Sequence, residues 1–177
     1  MDLRTERTKR CIANAFIQLR SKKPLEKITV KELSDLAMVH KATFYNHYQD
    51  IYDLSEQLEN ETIETILNNV SHLDSLIYSP KEVTKDFIVA INSQSELFNI
   101  LFSNSRQGIL VQKLDYYIKE RLYKKFPKYK ENLEFDVALS LFIQGSFYTV
   151  LHYSEKDFSK VIDILGNMSE TLMAKFR

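Results

Sequence analysis

The stretch ITVKELSDLAMVHKATFYNHYQD, Ile28 to Asp50, carries two short helical patterns separated by three residues that fit neither. Thr29 is a good N-cap, and Glu32 three residues later makes a capping box, in which hydroxyl and carboxylate satisfy otherwise orphaned backbone N–H groups. Val30, Leu33, Leu36 and Ala37 supply one buried side of this short helix. Met38, Val39 and His40 then break the period before another short helix starts near Lys41. On it, Phe44 and Tyr48 lie four residues apart and face inward, which leaves Lys41, Ala42, Tyr45 and Asn46 on the outer side. Two short helices joined by a tight turn make a helix-turn-helix pattern.

Working outward, residues 4 to 21 form a supporting amphipathic helix through Ile12, Ala15, Phe16 and Leu19, with Arg4, Arg7, Lys9, Arg10 and Arg20 around the rest of it. On the other side, Asp50 caps a longer helix carrying Leu54, Leu58, Ile66, Val70 and Leu73. Ser79, Pro80 and Glu82 signal a further start, continued by Val83, Phe87 and Ile91. A short apolar piece, residues 97 to 102, precedes a helix from Ile109 to Phe126 that Pro127 stops. Leu133 to Tyr153 is apolar over most of its circumference, and Ser154 with Asp157 opens a last helix running toward Phe176. The expectation is an all-α protein of about nine helices: a helix-turn-helix head over residues 1–49 and a helical ligand- or partner-binding and dimerisation body over 50–177.

Composition supports a folded chain and narrows its class. At 177 residues with 44% hydrophobic and 27% charged, it can bury a core without disulfides, and its single Cys11 fits a reducing cytoplasm. Apolar runs fall far short of the ~20 residues of a membrane span, and no apolar signal region follows the charged start. The net charge is zero, yet residues 1 to 50 carry ten Lys/Arg against six Asp/Glu, and residues 51 to 177 carry fourteen against eighteen. A head at +4 on a body at −4 suits a head that meets a polyanion.

The residues from Thr29 to Leu54 resemble the DNA-binding segment of the TetR family of transcriptional regulators. Thr29, Val30, Leu33, Ala37, Val39, Thr43, Phe44, Tyr45, His47, Tyr48, Asp50 and Leu54 match the family pattern. Beyond them the likeness is one of helix order and hydrophobicity. The resemblance implies that the helix beginning near Lys41 enters the major groove of an operator duplex, with Lys41, Ala42 and Asn46 reading base edges. It implies phosphate contacts from Thr43, Tyr45 and His47, a further one from Thr29 at a helix N-terminus, and a DNA contact from Lys31. Three residues depart from the pattern. Met38 stands where a turn glycine is usual, His40 replaces a Ser/Thr cap and brings an imidazole to the DNA-facing end, and Ile51 replaces a lysine that touches phosphate.

Other chemistries find little support. His40 and His47 as a metal or catalytic pair have only His72 and His152 to join them, with no HExxH and no cysteine pair. There is no nucleophile elbow and no Gly-rich phosphate loop, so neither an enzyme nor a cofactor is expected. Phe87, Phe98, Phe102, Tyr116, Tyr117, Phe142, Phe147 and Tyr148 either line an effector pocket of the kind the family uses or are simply core. The last two long helices need cover that a single chain of this size does not provide, so a second copy is the natural source. Phe142, Gly145, Thr149, Val161, Leu165, Met168 and Leu172 are the expected contacts of a homodimer, which the resemblance pictures as a four-helix bundle. The expected function is transcriptional regulation, as a repressor, on a pseudo-palindromic operator, controlled by a small-molecule effector or a partner protein. The alternative is a helical co-regulator that has kept the fold and binds a protein partner with little or no DNA binding.

Overall fold

A computed structural model describes residues 3–70, 72–102, 106–153 and 157–177 of the chain. Among them the protein is all-helical, without strands, and its nine α-helices run α1 Leu3–Arg20, α2 Val30–Ala37, α3 Lys41–Tyr45, α4 Ile51–Asn69, α5 Pro80–Ser93, α6 Ser95–Leu101, α7 Gln107–Lys125, α8 Leu133–Tyr153 and α9 Phe158–Met173. No helix among the described residues is long and apolar enough to cross a membrane.

Contacts group the chain into two compact units, Met1–Thr62 with Glu96–Asn104, and Ile63–Ser95 with Ser105–Arg177. This division falls inside α4 rather than at residue 50. The reason lies in burial: Ile51 and Leu54, on the first turn of α4, are closed off from solvent along with the head's own Phe16, Leu33 and Phe44. Phe98, Leu101 and Phe102 of the first unit are buried as well.

Several helix starts form as the sequence implies, with different bonding. Thr29 Oγ1 accepts the Glu32 N–H at 3.2 Å, but the Glu32 carboxylate is paired with Lys23 Nζ. At α4, Asp50 Oδ1 accepts the Asp53 N–H at 2.8 Å, and Asp53 Oδ2 accepts the Gln49 N–H at 2.8 Å. The two carboxylates thus cap this helix reciprocally. Ser79 precedes α5 without a side-chain cap bond; the Lys81 N–H at that end meets Glu170 Oε1 of α9 at 3.4 Å. Asp157 caps α9 through the Lys160 N–H at 3.2 Å, while Ser154 lies outside the described residues.

Two expected helices are shorter than the apolar period suggests. α4 ends at Asn69, so Leu73 is buried in a 3-10 turn, Leu73–Ser75, that follows His72 in the left-handed region (φ 62°). α9 ends at Met173 and passes into a 3-10 turn, Ala174–Phe176. An apolar spacing of three or four residues fits a 3-10 turn as readily as one more α-turn.

The second unit is organised by α5 against α9 and by α7 and α9 against α8. Gly166 allows the close α5–α9 approach, since a Cβ added there would lie 2.8 Å from Lys81 Cγ. Ser169 Oγ, buried beside it, donates to Gly166 O at 2.7 Å, so small residues let the helices meet without orphaned hydroxyls. Between α7 and α8, Lys119 Nζ binds Ser140 Oγ at 2.6 Å and Asp136 Oδ1 at 2.8 Å, and Ser140 Oγ donates to Asp115 Oδ1 at 2.7 Å. An aromatic group formed by Tyr129, Phe135 and Phe176 closes one end, with the Tyr129 and Phe135 rings stacked at 4.4 Å.

Candidate nucleic-acid interface

The helix-turn-helix is held by its turn. Met38 adopts φ 54°, ψ 44°, the left-handed conformation that a glycine would take without strain. Its N–H bonds to Asp35 O at 3.3 Å, and the Val39 N–H bonds to Ser34 O at 3.0 Å. These are the two bonds of a Schellman cap, so the turn pays backbone strain at a non-glycine residue in return for satisfied carbonyls. The Met38 side chain is 91% exposed and packs against nothing that would require methionine.

The turn delivers the chain into α3 at His40, an extended N-cap (φ −71°, ψ 148°) whose imidazole makes no capping bond. The backbone does the work: His40 O accepts from Thr43 N–H at 2.9 Å and from Phe44 N–H at 3.2 Å. His40 is exposed.

Burial along α3 and the turn after it separates two faces. Phe44 is fully buried and Tyr48 nearly so, their rings 5.5 Å apart. Burial raises the Tyr48 phenol pKa, and the carboxylates of Glu61, Asp53 and Glu6 add to the effect. Tyr48, just past the end of α3, is therefore a core residue together with Phe44, while Tyr45 between them is not. Tyr45 is 57% exposed, its ring edge-on to Phe44 at 5.5 Å, which fixes its direction from below. Lys41, Ala42 and Asn46 are exposed, and Thr43 and His47 are half-buried at the border between the faces. Thr29 and Lys31, at the start of α2, are exposed too. Thr29 Oγ1 accepts the cap bond, which leaves its O–H able to donate outward.

The charges of the head are unevenly available. Arg20 is buried, with Nη1 donating to Lys23 O at 3.3 Å, and Lys23 is engaged by Glu32. Lys22, Lys27, Lys31 and Lys41 are exposed. Ile51 points into the core, so the position where the resemblance implies a phosphate-binding lysine presents no side chain outward. Tyr52, next to it, is exposed, a feature that the apolar period of α4 gave no reason to single out.

The expected dimer residues are spread over different environments. Met168 and Gly145 are exposed; Phe142, Thr149, Val161 and Leu172 are half-buried. Leu165 is 4% exposed within the single chain, on a helix that packs against α5. Leu133, Val137, Leu141, Tyr148 and Ile164, which were not among the expected contacts, add to the exposed apolar surface of α8 and α9, and Leu141 is 71% exposed. Among the described residues, and apart from its own helical backbone and chain neighbours, nothing lies within 4 Å of a Cβ added at Gly145.

The body aromatics also divide. Phe98 and Phe102 are core, 5.4 Å apart, while Tyr116 and Tyr148 are exposed. Only Tyr117 of the eight contributes to a cavity described below. Among the described residues, no group of three or more His, Cys, Asp and Glu is arranged to hold a metal ion. Compared with protein-family models and with curated proteins, the chain finds no match.

Proposed function

We propose that the protein is a homodimeric DNA-binding transcriptional regulator of the TetR kind, with α3 as its recognition helix. One observation carries this reading: the split of α3 and the turn after it into an inward Phe44 and Tyr48 and an outward Lys41, Ala42, Tyr45 and Asn46, behind a turn closed by backbone bonds. A helix that served only as core would have no use for a buttressed tyrosine beside a lysine and an asparagine on its outer face. Lysine donates to guanine, asparagine pairs with adenine, and the alanine methyl meets a thymine methyl. Thr29, Thr43, Tyr45 and His47 hold phosphates and set the docking angle, with Lys31 beside them. His40 stands at the leading end of the helix, where its imidazole meets the edge of the site.

The exposed apolar surface of α8 and α9 supports pairing of two chains, and two-fold symmetry then requires a pseudo-palindromic operator. Two recognition helices must sit about 34–36 Å apart, or a multiple of that, to occupy successive major grooves. An effector or partner that shifts the body therefore regulates binding by changing this spacing, and repression is the simplest outcome of an operator occupied in its absence.

The test is binding of the full-length protein to a duplex pool at about 50 and 200 mM salt. Lys31 alone gives about two neutralised phosphates per dimer, a log–log slope of roughly −1.8 and about a tenfold loss over that range. Absence of binding at either salt concentration would refute the proposal and favour the co-regulator alternative, which the burial of Ile51 makes worth testing.

A further inference from the structure

The second unit contains a cavity of about 350 Å³ lined by Tyr117, Glu120, Arg121, Tyr123, Lys124 and Lys130. We infer that it binds a small organic anion, a carboxylate or phosphate attached to a flat apolar body. The inference is independent of whether the head binds DNA.

Charge is the first argument. Residues 121 to 130, RLYKKFPKYK, hold five Lys/Arg and no acid. Cations at a helix C-terminus offset its dipole, which accounts for Lys124 and Lys125 in the last turn of α7. It does not account for Lys130, which comes after the 3-10 turn Pro127–Tyr129 and still lines the same cavity. Lys125 is paired with Asp74 at 3.1 Å, and Lys128 lies over the Tyr129 ring at 4.7 Å. Arg121 Nη2 donates to Asn68 Oδ1 at 2.8 Å, a neutral amide that leaves the guanidinium charge uncompensated. Lys124 and Lys130 make no hydrogen bond or ion pair among the described residues. The three cations of the lining thus face a single carboxylate, Glu120.

Shape supplies the second argument. The Tyr123 hydroxyl donates to Asp136 Oδ1 at 2.6 Å, which holds its ring in place and takes its O–H out of service. Burial raises the phenol pKa, with Asp136 adding to the effect, so Tyr123 brings no negative charge to the cavity. Tyr117 gives a second ring, set edge-on to Tyr116 at 5.4 Å. Two positioned rings suit a flat body, the cations suit its anionic end, and Glu120 accepts a hydroxyl from it. The volume is at the lower end of the range for small-molecule sites, enough for a single-ring acid and too small for a folded partner.

Isothermal titration of the full chain, without DNA, tests the assignment with phenyl phosphate and 4-hydroxybenzoate, against inorganic phosphate and benzyl alcohol. Saturable binding of the two aromatic anions is expected, at least tenfold tighter than that of either control. Lys124→Ala with Lys130→Ala should weaken it at least tenfold, and Lys125→Ala, outside the lining, should leave it unchanged. Both double-variant positions are exposed, and unchanged circular dichroism would show that the fold survives. No saturable binding, equal affinity for inorganic phosphate, or an unaffected double variant would each overturn the inference. Because DNA is absent from the titration, none of these results bears on the recognition helix.

Discussion

α3 and α8 both expose apolar side chains, for opposite reasons. α3 is five residues long, and each has a distinct place: Phe44 inward, Thr43 half-buried at the border, Tyr45 outward with its ring edge-on to Phe44, Lys41 and Ala42 at the open end. α8 is 21 residues long with a buried line of Phe135, Leu139 and Ile143, yet Leu133, Val137, Leu141 and Tyr148 remain in solvent. A mixed polar and aromatic surface on a short, capped helix suits a polar partner. A row of aliphatic side chains at helical spacing suits another helix, each leucine gaining about 1.5–3 kcal/mol when covered. Surface apolarity alone does not distinguish the two; its company does.

The largest effect should come from breaking the second of these surfaces. Leu141→Glu with Met168→Glu should convert a dimer to a folded monomer in light scattering, with helical circular dichroism retained and operator affinity lost. Unchanged mass would sink the pairing surface. Leu165→Glu makes the sharper contrast, because that side chain is buried inside the protomer. It should destabilise the chain itself by about 3–5 kcal/mol, seen in urea unfolding whether or not the protein is paired.

Adjacent residues on α3 offer the same comparison at smaller scale. Phe44→Ala removes a fully buried ring and should cost about 3–5 kcal/mol of stability. Tyr45→Ala should change stability by less than about 1 kcal/mol and weaken binding to specific and non-specific duplexes alike, as the loss of a phosphate contact does. A defect confined to one operator sequence would reassign Tyr45 to base reading.

How far the sequence exposed these differences depended on the range of the interactions involved. The head was legible because Thr29, the Phe44–Tyr48 spacing and Asp50 act within a turn or two of themselves. α8 was legible to its end residues for a related reason, since the apolar run itself extends from Leu133 to Tyr153. The exposed apolar surface of α8 and α9 was legible only as a need for cover. Which of Leu141 and Leu165 faces out depends on where α5 and α7 lie, and Gly166, the glycine that admits α5, has no local signature. The cavity residues Lys124 and Lys130 are six apart across a proline, so no helical period joins them. Leu73 was misplaced because the break at His72 is a positive φ with neither glycine nor proline to announce it.

Met38 is the other non-glycine residue with a positive φ among the described residues, at a turn that the sequence did mark, and there the strain can be relieved. Left-handed backbone costs a non-glycine residue about 1–2 kcal/mol, while glycine loses about 0.5–1 kcal/mol of that gain to its freer unfolded chain. Met38→Gly should therefore raise stability by about 0.5–1 kcal/mol, about 2 °C in melting temperature. Met38→Ala keeps the strain and should leave stability nearly unchanged. If both variants behaved alike, the left-handed turn would not be the source of the difference.

The smallest effect expected is at the junction of head and long helix, and it depends on pH. The Asp53 carboxyl is held below its ordinary pKa, first by the Gln49 N–H and then by the Gln57 amide, against a small opposing effect of burial. A carboxylate whose pKa is lower folded than unfolded stabilises the protein at pH above its unfolded value, about 3.9, and the contribution fades as pH falls through the folded value. Asp53→Asn should accordingly lower the denaturation midpoint slightly at pH 6, and the gap from the parent chain should close below about pH 4. Asp53 is only half-buried, so the gap should be small and should persist in 0.5 M salt only to the extent that the hydrogen bonds, rather than the charge, sustain it. A gap that grew on acidification would contradict the reciprocal cap of Asp50 and Asp53, and with it the account of how α4 is started against the reading head.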